Sequence, residues 1–367
     1  MLYYRYRPFS ELTMKELLYD ELFFASAEEC NDPYEGFPFI VFDPDQEKWS
    51  ALLQFAWGNT QTFIDKYLNT FVDYLCRQGK INLRKFSSFS FAELAQGKTL
   101  EEVLIFSHYV QKLKSCVESY TFQKKYFVSF SRKRDEYLMW SHYADQHRGI
   151  CLIFRPDKNS LRQRLDSVRN SICIGPVTES IGNQFHFRDV IYNEKTQPVD
   201  GFDYFPADIC KRFSFASEEE RINFVESKES YFLEKSRCWE YEQEIRLLLP
   251  APSGWVAGKI EYSKNLRLFH YDPTQLVGII FGARTTEETK NRIMEIVGDK
   301  QLMLAKNGNL KDPSNMFMFF QAKMSNFERQ LDVVPIGGNF AGDFIKPEAP
   351  CFKNFYRRWD IASEKDL

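Results

Sequence analysis

The sequence predicts an α+β protein, a mixed, mainly antiparallel sheet flanked by helices, with a helical block inserted into it. Three observations carry that expectation. Strand-like apolar runs recur from LYYRYR at residue 2 to LDVVP at residue 331, a block from about 45 to 122 switches to helical spacing, and the later runs alternate with helical stretches. An apolar share of 44% and an aromatic share of 16% supply enough material for a packed interior and argue against disorder.

The elements follow in order. LYYRYR alternates as a strand, and Ser10 is placed to cap a short helix over SELTMKELLYD. ELFFASAEECNDPYEG runs as a strand into a turn at Asn31-Asp32-Pro33, since Asn and Asp bond their own backbone and the residue before proline is pushed out of the helical region. From about Glu47 to Tyr120 the spacing is helical, which defines the insertion of about 45–122. KKYFVSFS returns to strand, Asp135 caps a helix expected to run through His147 and stop at Gly149, and GICLIF is the next strand. RDVIYNE reads as a strand, ASEEERINFVESKESYFLEKSRCWEYE as a long helix, and EIRLLLP and VGIIFGA as strands. TTEETKNRIMEIVG is helical, and QLMLA, MFMFFQA and ERQLDVVP are strands. One α+β domain over 1–335 results, with 336–367, rich in Gly, Pro and charge, as an extended C-terminal tail.

With 48 basic against 51 acidic residues, the chain has no global attraction for nucleic acid or an anionic membrane. A local basic patch, Lys124 to Arg134 followed by Arg155 to Arg169, is the candidate contact for a nucleotide or nucleic acid, against its usual reading as a solvated face. The insertion is the candidate face for a protein partner. The eight cysteines lack any CxxC spacing and read as buried free thiols. Neither a signal-peptide pattern nor about 18 consecutive apolar residues occurs, so a cytoplasmic protein without a membrane segment is expected.

LMWSHYADQHRGICLIF, residues 138–154, concentrates the polar chemistry. On a helix, Met139, Trp140, Tyr143, Ala144 and His147 share one side, and Ser141, His142 and Asp145 the other. His142 and His147 then point roughly 140° apart, so no metal site is expected from the pair. His147 reads as a structural histidine in the last turn. His142 stands between two readings, an imidazole oriented for proton transfer by Ser141 and Asp145, or a side chain in solvent. No GxSxG, GxGxxG or GxxxxGK[ST] occurs, so hydrolase-elbow, Rossmann and P-loop chemistry lack support.

LYYRYRPF, LFFASAEECNDPYEG, YFVSFSRKRDEYLMWSHYADQHRGICLIF, CWEYEQEIRLL and VGIIFGARTTEE together resemble the bacterial family catalogued as domain of unknown function 2971, over about residues 2–330. NDPYE, LMWSHYADQHRG and WEYEQEIR are its most specific pieces. The resemblance implies a bacterial or phage-borne setting and an association with defence or toxicity.

A second, weaker resemblance lies in the order of chemistry. Arg5 and Arg7 on the first strand, Ser129-Phe130-Ser131, and Glu242-Gln243-Glu244 are similar to the R, SxS, ExE order of ADP-ribosyltransferases. That order implies NAD as substrate: arginine on the pyrophosphate, serine supporting the glutamate and ribose, and the carboxylate stabilising an oxocarbenium-like transition state as nicotinamide leaves. Tyr143 or Trp140 would offer an aromatic face to the nicotinamide ring.

Two other classes compete. A metal-dependent nuclease or phosphodiesterase would use Asp32, Glu35, Glu242 and Glu244 as oxygen ligands for Mg, with His142 as base. A non-catalytic sensor or interaction module would use NDPYE and WSHYADQH only to lock loops onto the sheet, leaving no cavity beside Asp32, Glu35 or His142. ExE before an apolar strand also has an ordinary structural reading, with Arg246 pairing Glu244 two residues away. The enzymatic readings require Arg5 or Arg7, Asn31, Asp32, Glu35, Ser129, Ser131, His142, Tyr143, Glu242, Glu244 and Arg246 to gather at one cleft.

Overall fold

The structure, a computed structural model, describes residues 1–36, 39–57, 65–82, 85, 97–121, 125–164, 172–174, 177–179, 184–195, 198–205, 217, 219–220, 223, 229–249, 263–310, 316–326 and 330–352. Its principal sheet comprises β1 (Tyr3–Arg7), β2 (Ala25–Ser26), β3 (Tyr126–Ser131), β4 (Ile150–Phe154), β5 (Ser160–Arg162), β6 (Gln184–Asp189), β7 (Glu244–Leu248), β8 (Leu276–Phe281), β9 (Phe317–Met324), β10 (Leu331–Phe340) and β11 (Asp343–Ile345). The spatial order is β11-β10-β9-β8-β4-β1-β3-β7-β6-β5, with β2 also paired to β3. Every pairing in it is antiparallel except β8 with β9, which a helical crossover connects. The α+β class expected from the sequence is the observed one.

Both faces of the sheet are packed. On one, Tyr3, Val128, Phe130, Leu152, Ile245, Leu247 and Ile279 meet α1 (Glu11–Tyr19) and α6 (Glu287–Lys306) through Met14, Leu17, Ile293 and Val297. On the other, Tyr4, Tyr6, Cys151, Ile153, Ile280 and Phe320 meet α5 (Tyr137–Tyr143) through Met139 and Trp140. This alternation is what a strand's two-residue period requires when neither face is wet. Burial of each large side chain contributes roughly 1.5–3 kcal/mol.

The helical insertion has its own core. α2 (Gln46–Trp57), α3 (Asp65–Arg77) and α4 (Leu100–Thr121) bury Trp49, Leu53, Phe71, Leu75, Phe106 and Leu113 against Ile40, Phe42 and Phe202. Residues 40–42 and 199–205, outside the block read from the sequence, complete it. Ser10 caps α1 as expected, its hydroxyl accepting from the Thr13 N–H.

Four expectations change. QLMLA is no strand but the last part of α6, where Gln301 and Leu304 continue the buried stripe of Ile293 and Val297. The long helix read over ASEEERINFVESKESYFLEKSRCWEYE is replaced, among the described residues, by short turns of 3₁₀ helix at Glu229–Leu233 and Arg237–Glu242 around a strand, Glu234–Ser236, paired in parallel with Ile191–Asn193. The helix expected to reach His147 ends at Tyr143, because Asp145, Gln146 and His147 all take left-handed backbone conformations. Finally, the sheet runs past residue 335 through β10 and β11, so the expected tail contributes strands, while 353–367 lies outside the described residues.

Among the described residues no helix is long and apolar enough to cross a membrane. The described cysteines are free, and Cys238 and Cys351 are exposed rather than buried.

Candidate active site

The sheet is split beside β3. β1 pairs with it only at Tyr4 and Ser131, while β2 pairs with its other end at Phe127 and Tyr126. Between them the β3 edge has no strand partner among the described residues, and Arg5 Nη1 donates to the Ser129 carbonyl at 3.1 Å. A cavity of about 400 Å³ opens there. Its walls come from β1 (Arg5, Arg7), the 31–36 turn (Asn31, Glu35), β3 (Ser129, Ser131), α5 (His142, Tyr143) and the approach to β7 (Lys235, Glu242, Glu244).

Strand alternation explains why both rows reach one hollow. Glu244 opposes Ser131 and Arg246 opposes Ser129 across β7 and β3, so these four share the face of Tyr4. Arg5 and Arg7 belong to the Tyr3 face; only the gap in the sheet admits them to the same cavity.

The carboxylates form a buried, interlocked cluster. Glu244 takes Arg246 Nε and Nη2 at 2.7 and 2.8 Å, Lys235 at 3.1 Å, and the Ser129 hydroxyl. Glu242 takes the Tyr143 hydroxyl at 2.6 Å on one oxygen and Lys235 at 2.6 Å on the other. Glu35 pairs with Arg246 at 2.7 Å and Lys235 at 3.6 Å. Three carboxylates thus face two cations.

Their environments push the two ExE glutamates apart. Burial raises the Glu242 carboxyl above the usual carboxylate range and Glu244 adds to that rise, with Lys235 and Tyr143 opposing. Burial also acts on Glu244, but the bidentate Arg246 guanidinium overrides it and holds that carboxyl at about 2. Lys235 is disfavoured as a cation by burial, yet Glu244, Glu242 and Glu35 hold it well above an ordinary lysine. The pair is therefore a fixed anion beside a group poised to carry a proton.

Ser131 organises the backbone of the motif. Wholly buried, it donates to the Glu242 carbonyl at 2.6 Å and accepts the Lys133 N–H at 3.0 Å. The Tyr192 hydroxyl accepts the Glu244 N–H at 2.7 Å. These bonds hold Gln243, in a left-handed conformation, at the point where the chain enters β7.

The two arginines differ from ordinary ion pairs. Glu16 accepts from Arg7 at 2.7 Å and lies 3.7 Å from Arg5, so one carboxylate serves two guanidinium groups. Burial lowers Arg5 to about 10 against the pull of Glu16. The Nε atoms of both are buried without a partner among the described residues. Both residues line the cavity, so an anion entering it would meet two guanidinium groups that share one carboxylate.

On the α5 wall, Tyr143 accepts from Asn31 at 3.1 Å and donates to Glu242, and burial with the neighbouring carboxylate raises its hydroxyl. His142 is exposed, its ring 6.3 Å from those of Tyr143 and Tyr241. The Ser-His-Asp grouping does not form: Asp145 pairs with Arg148, and Ser141 bonds Tyr137 and His147. His147 is buried beside Tyr137 and Trp140, and burial lowers its pKa, as suits a structural histidine.

Three candidates stand elsewhere. Trp140 is core, edge-on to Tyr6 with its indole N–H on the Arg134 carbonyl, so of these two aromatic candidates Tyr143 is the one that lines the cavity. Asp32 lines a different cavity. Arg246 is fully buried over the Phe127 ring and acts through Glu244 and Glu35. Lys235 was missed by the sequence, hidden in a segment that reads as helix.

In the basic patch, Arg132 pairs with Asp189, Lys133 with Glu136, and Arg162 with Asp157 and Asp272. Arg164 lies near Asp20. Lys124 and residues 165–169 fall outside the described residues. The described cations named here are matched by acids, which removes most of their pull on phosphate.

A family model described as protein of unknown function (DUF2971) matches residues 139–247. That span runs from α5 to β7 and so carries Tyr143, Lys235, Glu242 and Glu244. No curated protein and no solved structure gives a significant match.

Proposed function

We propose that the protein cleaves the N-glycosidic bond of NAD, releasing nicotinamide and passing the ADP-ribosyl group to water or another acceptor. The observation that carries the reading is convergence: Arg5, Arg7, Ser129, Tyr143, Glu242 and Glu244, from four separated segments, line one cavity of about 400 Å³.

The roles follow from the geometry. Arg5 and Arg7, both in the cavity wall, receive the pyrophosphate on their guanidinium groups. As the ribose C1′–N bond breaks, its electron pair leaves with nicotinamide and positive charge grows on the ribose. Glu244, kept ionised by Arg246, stabilises that charge in a site sheltered from water. Glu242 takes the proton of the incoming hydroxyl as the new C1′–O bond forms, and Lys235 steadies the resulting cluster. The Tyr143 ring stacks on the departing nicotinamide.

The Mg-dependent alternative finds less support. Lys235 and Arg246 already occupy oxygens of Glu35, Glu242 and Glu244, and Asp32 is not with them. The non-catalytic alternative requires solid packing beside Glu35 and His142, where the cavity lies. NAD-directed chemistry fits the defence or toxicity association that the family resemblance implies.

The test is incubation of the purified chain with NAD and chromatography for free nicotinamide, with Glu244→Gln and Glu242→Gln in parallel. Release by the wild type and its loss by more than a hundredfold in Glu244→Gln are expected. No release, or equal release by both variants and wild type, would remove the reading.

A further inference from the structure

The cavity is longer than the cleavage chemistry requires. Every residue of β3 from Phe127 to Ser131 lines it, so it follows that strand for four residues, about 13 Å. The Ser131 end holds the scissile bond, since Ser131 opposes Glu244. The middle holds the pyrophosphate, since Arg5 donates to the Ser129 carbonyl at 3.1 Å. The Phe127 end, where β2 pairs through Ala25, has no part in bond cleavage.

That end is built around Glu29. Its carboxylate folds back on the 3₁₀ turn Ala27–Glu29, Oε2 accepting the Ser26 N–H at 2.8 Å and the Ser26 hydroxyl at 3.2 Å, and Ser26 in turn opposes Tyr126. Arg267 donates to Oε2 at 2.7 Å and to Oε1 at 3.2 Å. The Arg267 guanidinium, with the Ser26 N–H, holds the Glu29 carboxyl at about 2. Arg267 itself is 6% exposed and committed to Glu29 and the Phe24 carbonyl, whereas the Glu29 side chain is 37% exposed and lines the cavity. A ligand reaching this end therefore meets a fixed carboxylate. Oε1, which takes only the Arg267 donor among the described residues, retains room to accept another.

A dinucleotide with its nicotinamide ribose at Glu244 and its pyrophosphate on Arg5 has its adenosine at the Phe127 end. Phe23, half-buried in the cavity wall, supplies a ring there for the base, and Arg267 lies over both the Phe23 and Tyr126 rings. We propose that Glu29 Oε1 accepts from the 2′-hydroxyl of the adenosine ribose, so that the cavity takes NAD and rejects NADP, whose 2′-phosphate would face a fixed anion. A carboxylate on the 2′-hydroxyl separates the same two dinucleotides at sites of a different fold. The inference rests on the reading of the cavity as an NAD site and adds to it the choice of dinucleotide.

Calorimetric titration of the full chain with ADP-ribose, its 2′-phosphate and its adenosine 2′-deoxy form tests the proposal. ADP-ribose should bind about tenfold or more tightly than the 2′-phosphate, which brings like charges together, and severalfold more tightly than the 2′-deoxy form, which lacks the donor. Glu29→Gln keeps an oxygen for the Ser26 N–H and should cut the preference over the 2′-phosphate to roughly threefold or less. Equal binding of ADP-ribose and its 2′-phosphate, equal binding of the 2′-deoxy form, a preference unchanged in Glu29→Gln, or no binding of any of the three overturns the inference. The wild-type titrations decide the matter even where the variant does not fold. ADP-ribose has no nicotinamide left to lose, so binding reads this end of the cavity whether or not NAD is cleaved. Preference without nicotinamide release upholds the inference and removes the cleavage, whereas release from NAD and NADP at equal kcat/KM keeps the cleavage and overturns the inference.

Discussion

Tyr143 donates its hydroxyl to Glu242 at 2.6 Å across 99 positions of chain. That bond joins the end of a short helix to the turn before β7, and both lie within the span matched by the family model. It also gives one oxygen of a buried glutamate its donor while Lys235 serves the other.

Tyr143→Phe keeps the ring and removes that donor. A hydrogen bond to a charged, buried group contributes about 1.5–3 kcal/mol, so urea unfolding should show a loss near 2 kcal/mol. Glu242 should become harder to ionise, because the Tyr143 bond opposes its upward shift. A pH profile of nicotinamide release displaced toward higher pH would register this; an unmoved profile would detach Tyr143 from Glu242.

Lys235→Met leaves three carboxylates around one guanidinium. Removing one partner from a buried ionic cluster costs about 3–5 kcal/mol. The deficit should shrink between pH 7 and pH 5, since Glu242, raised by burial and by Glu244, can discharge the excess by taking up a proton. Lys235→Arg, which keeps the charge, should lose less. Equal destabilisation at both pH values would show that the lost charge is not what matters.

The two glutamates should give opposite slopes in stability against pH. Glu244 is held at about 2, below its unfolded value near ~4.3, so its contribution is complete above the unfolded value and disappears as pH falls toward 2. At 1.36 kcal/mol per unit this is roughly 3 kcal/mol of the acid limb. Glu242 is raised when folded, so its contribution is present below the unfolded value and is lost as pH climbs through the folded one. Denaturation series from pH 2 to 8 should therefore find the limb flattened in Glu244→Gln, while Glu242→Gln gains on the wild type as pH rises.

Much of this arrangement was legible in the sequence because strand alternation is local. SFS and EIR place their polar residues on one face by the two-residue period alone, and their pairing then brings Ser131 to Glu244. Lys235 was not legible. KESYFLEKSRCWEYE has the composition of a helix, and only the parallel pairing of Glu234–Ser236 with Ile191–Asn193, a contact distant in sequence, draws it out as a strand. Nor was the gap beside β3, which depends on β1 and β2 approaching opposite ends of one edge. QLMLA misled for a simpler reason: a five-residue apolar run fits helix and strand alike.

Gly149→Ala should be far costlier than its size suggests. A Cβ there would lie 2.2 Å from the Arg7 carbonyl oxygen and 3.0 Å from that of Ala144, both backbone atoms with little room to move. Overpacking of this kind costs about 3 kcal/mol and would push α5 and its Tyr143 away from β1. Gly79→Ala is the control: its left-handed backbone favours glycine, but nothing lies within 4 Å, so the loss should be about 1 kcal/mol. Thermal melts of the two variants side by side decide the matter, and comparable losses would contradict the clash.

Ser131→Ala tests whether backbone placement before β7 governs the chemistry. The hydroxyl never faces the ligand in this scheme; it holds the Glu242 carbonyl and the Lys133 N–H. Removing it leaves both buried groups one bond short, about 1–3 kcal/mol in stability. Because the proposed scheme binds the pyrophosphate through Arg5 and Arg7 instead, KM for NAD should stay within about twofold while kcat falls tenfold or more, the pattern of an interaction felt in the transition state. Ser131→Thr keeps the hydroxyl and should recover part of kcat if the added methyl is accommodated. A rise in KM with kcat intact would mean that Ser131 supports substrate binding, and the positioning role would be withdrawn.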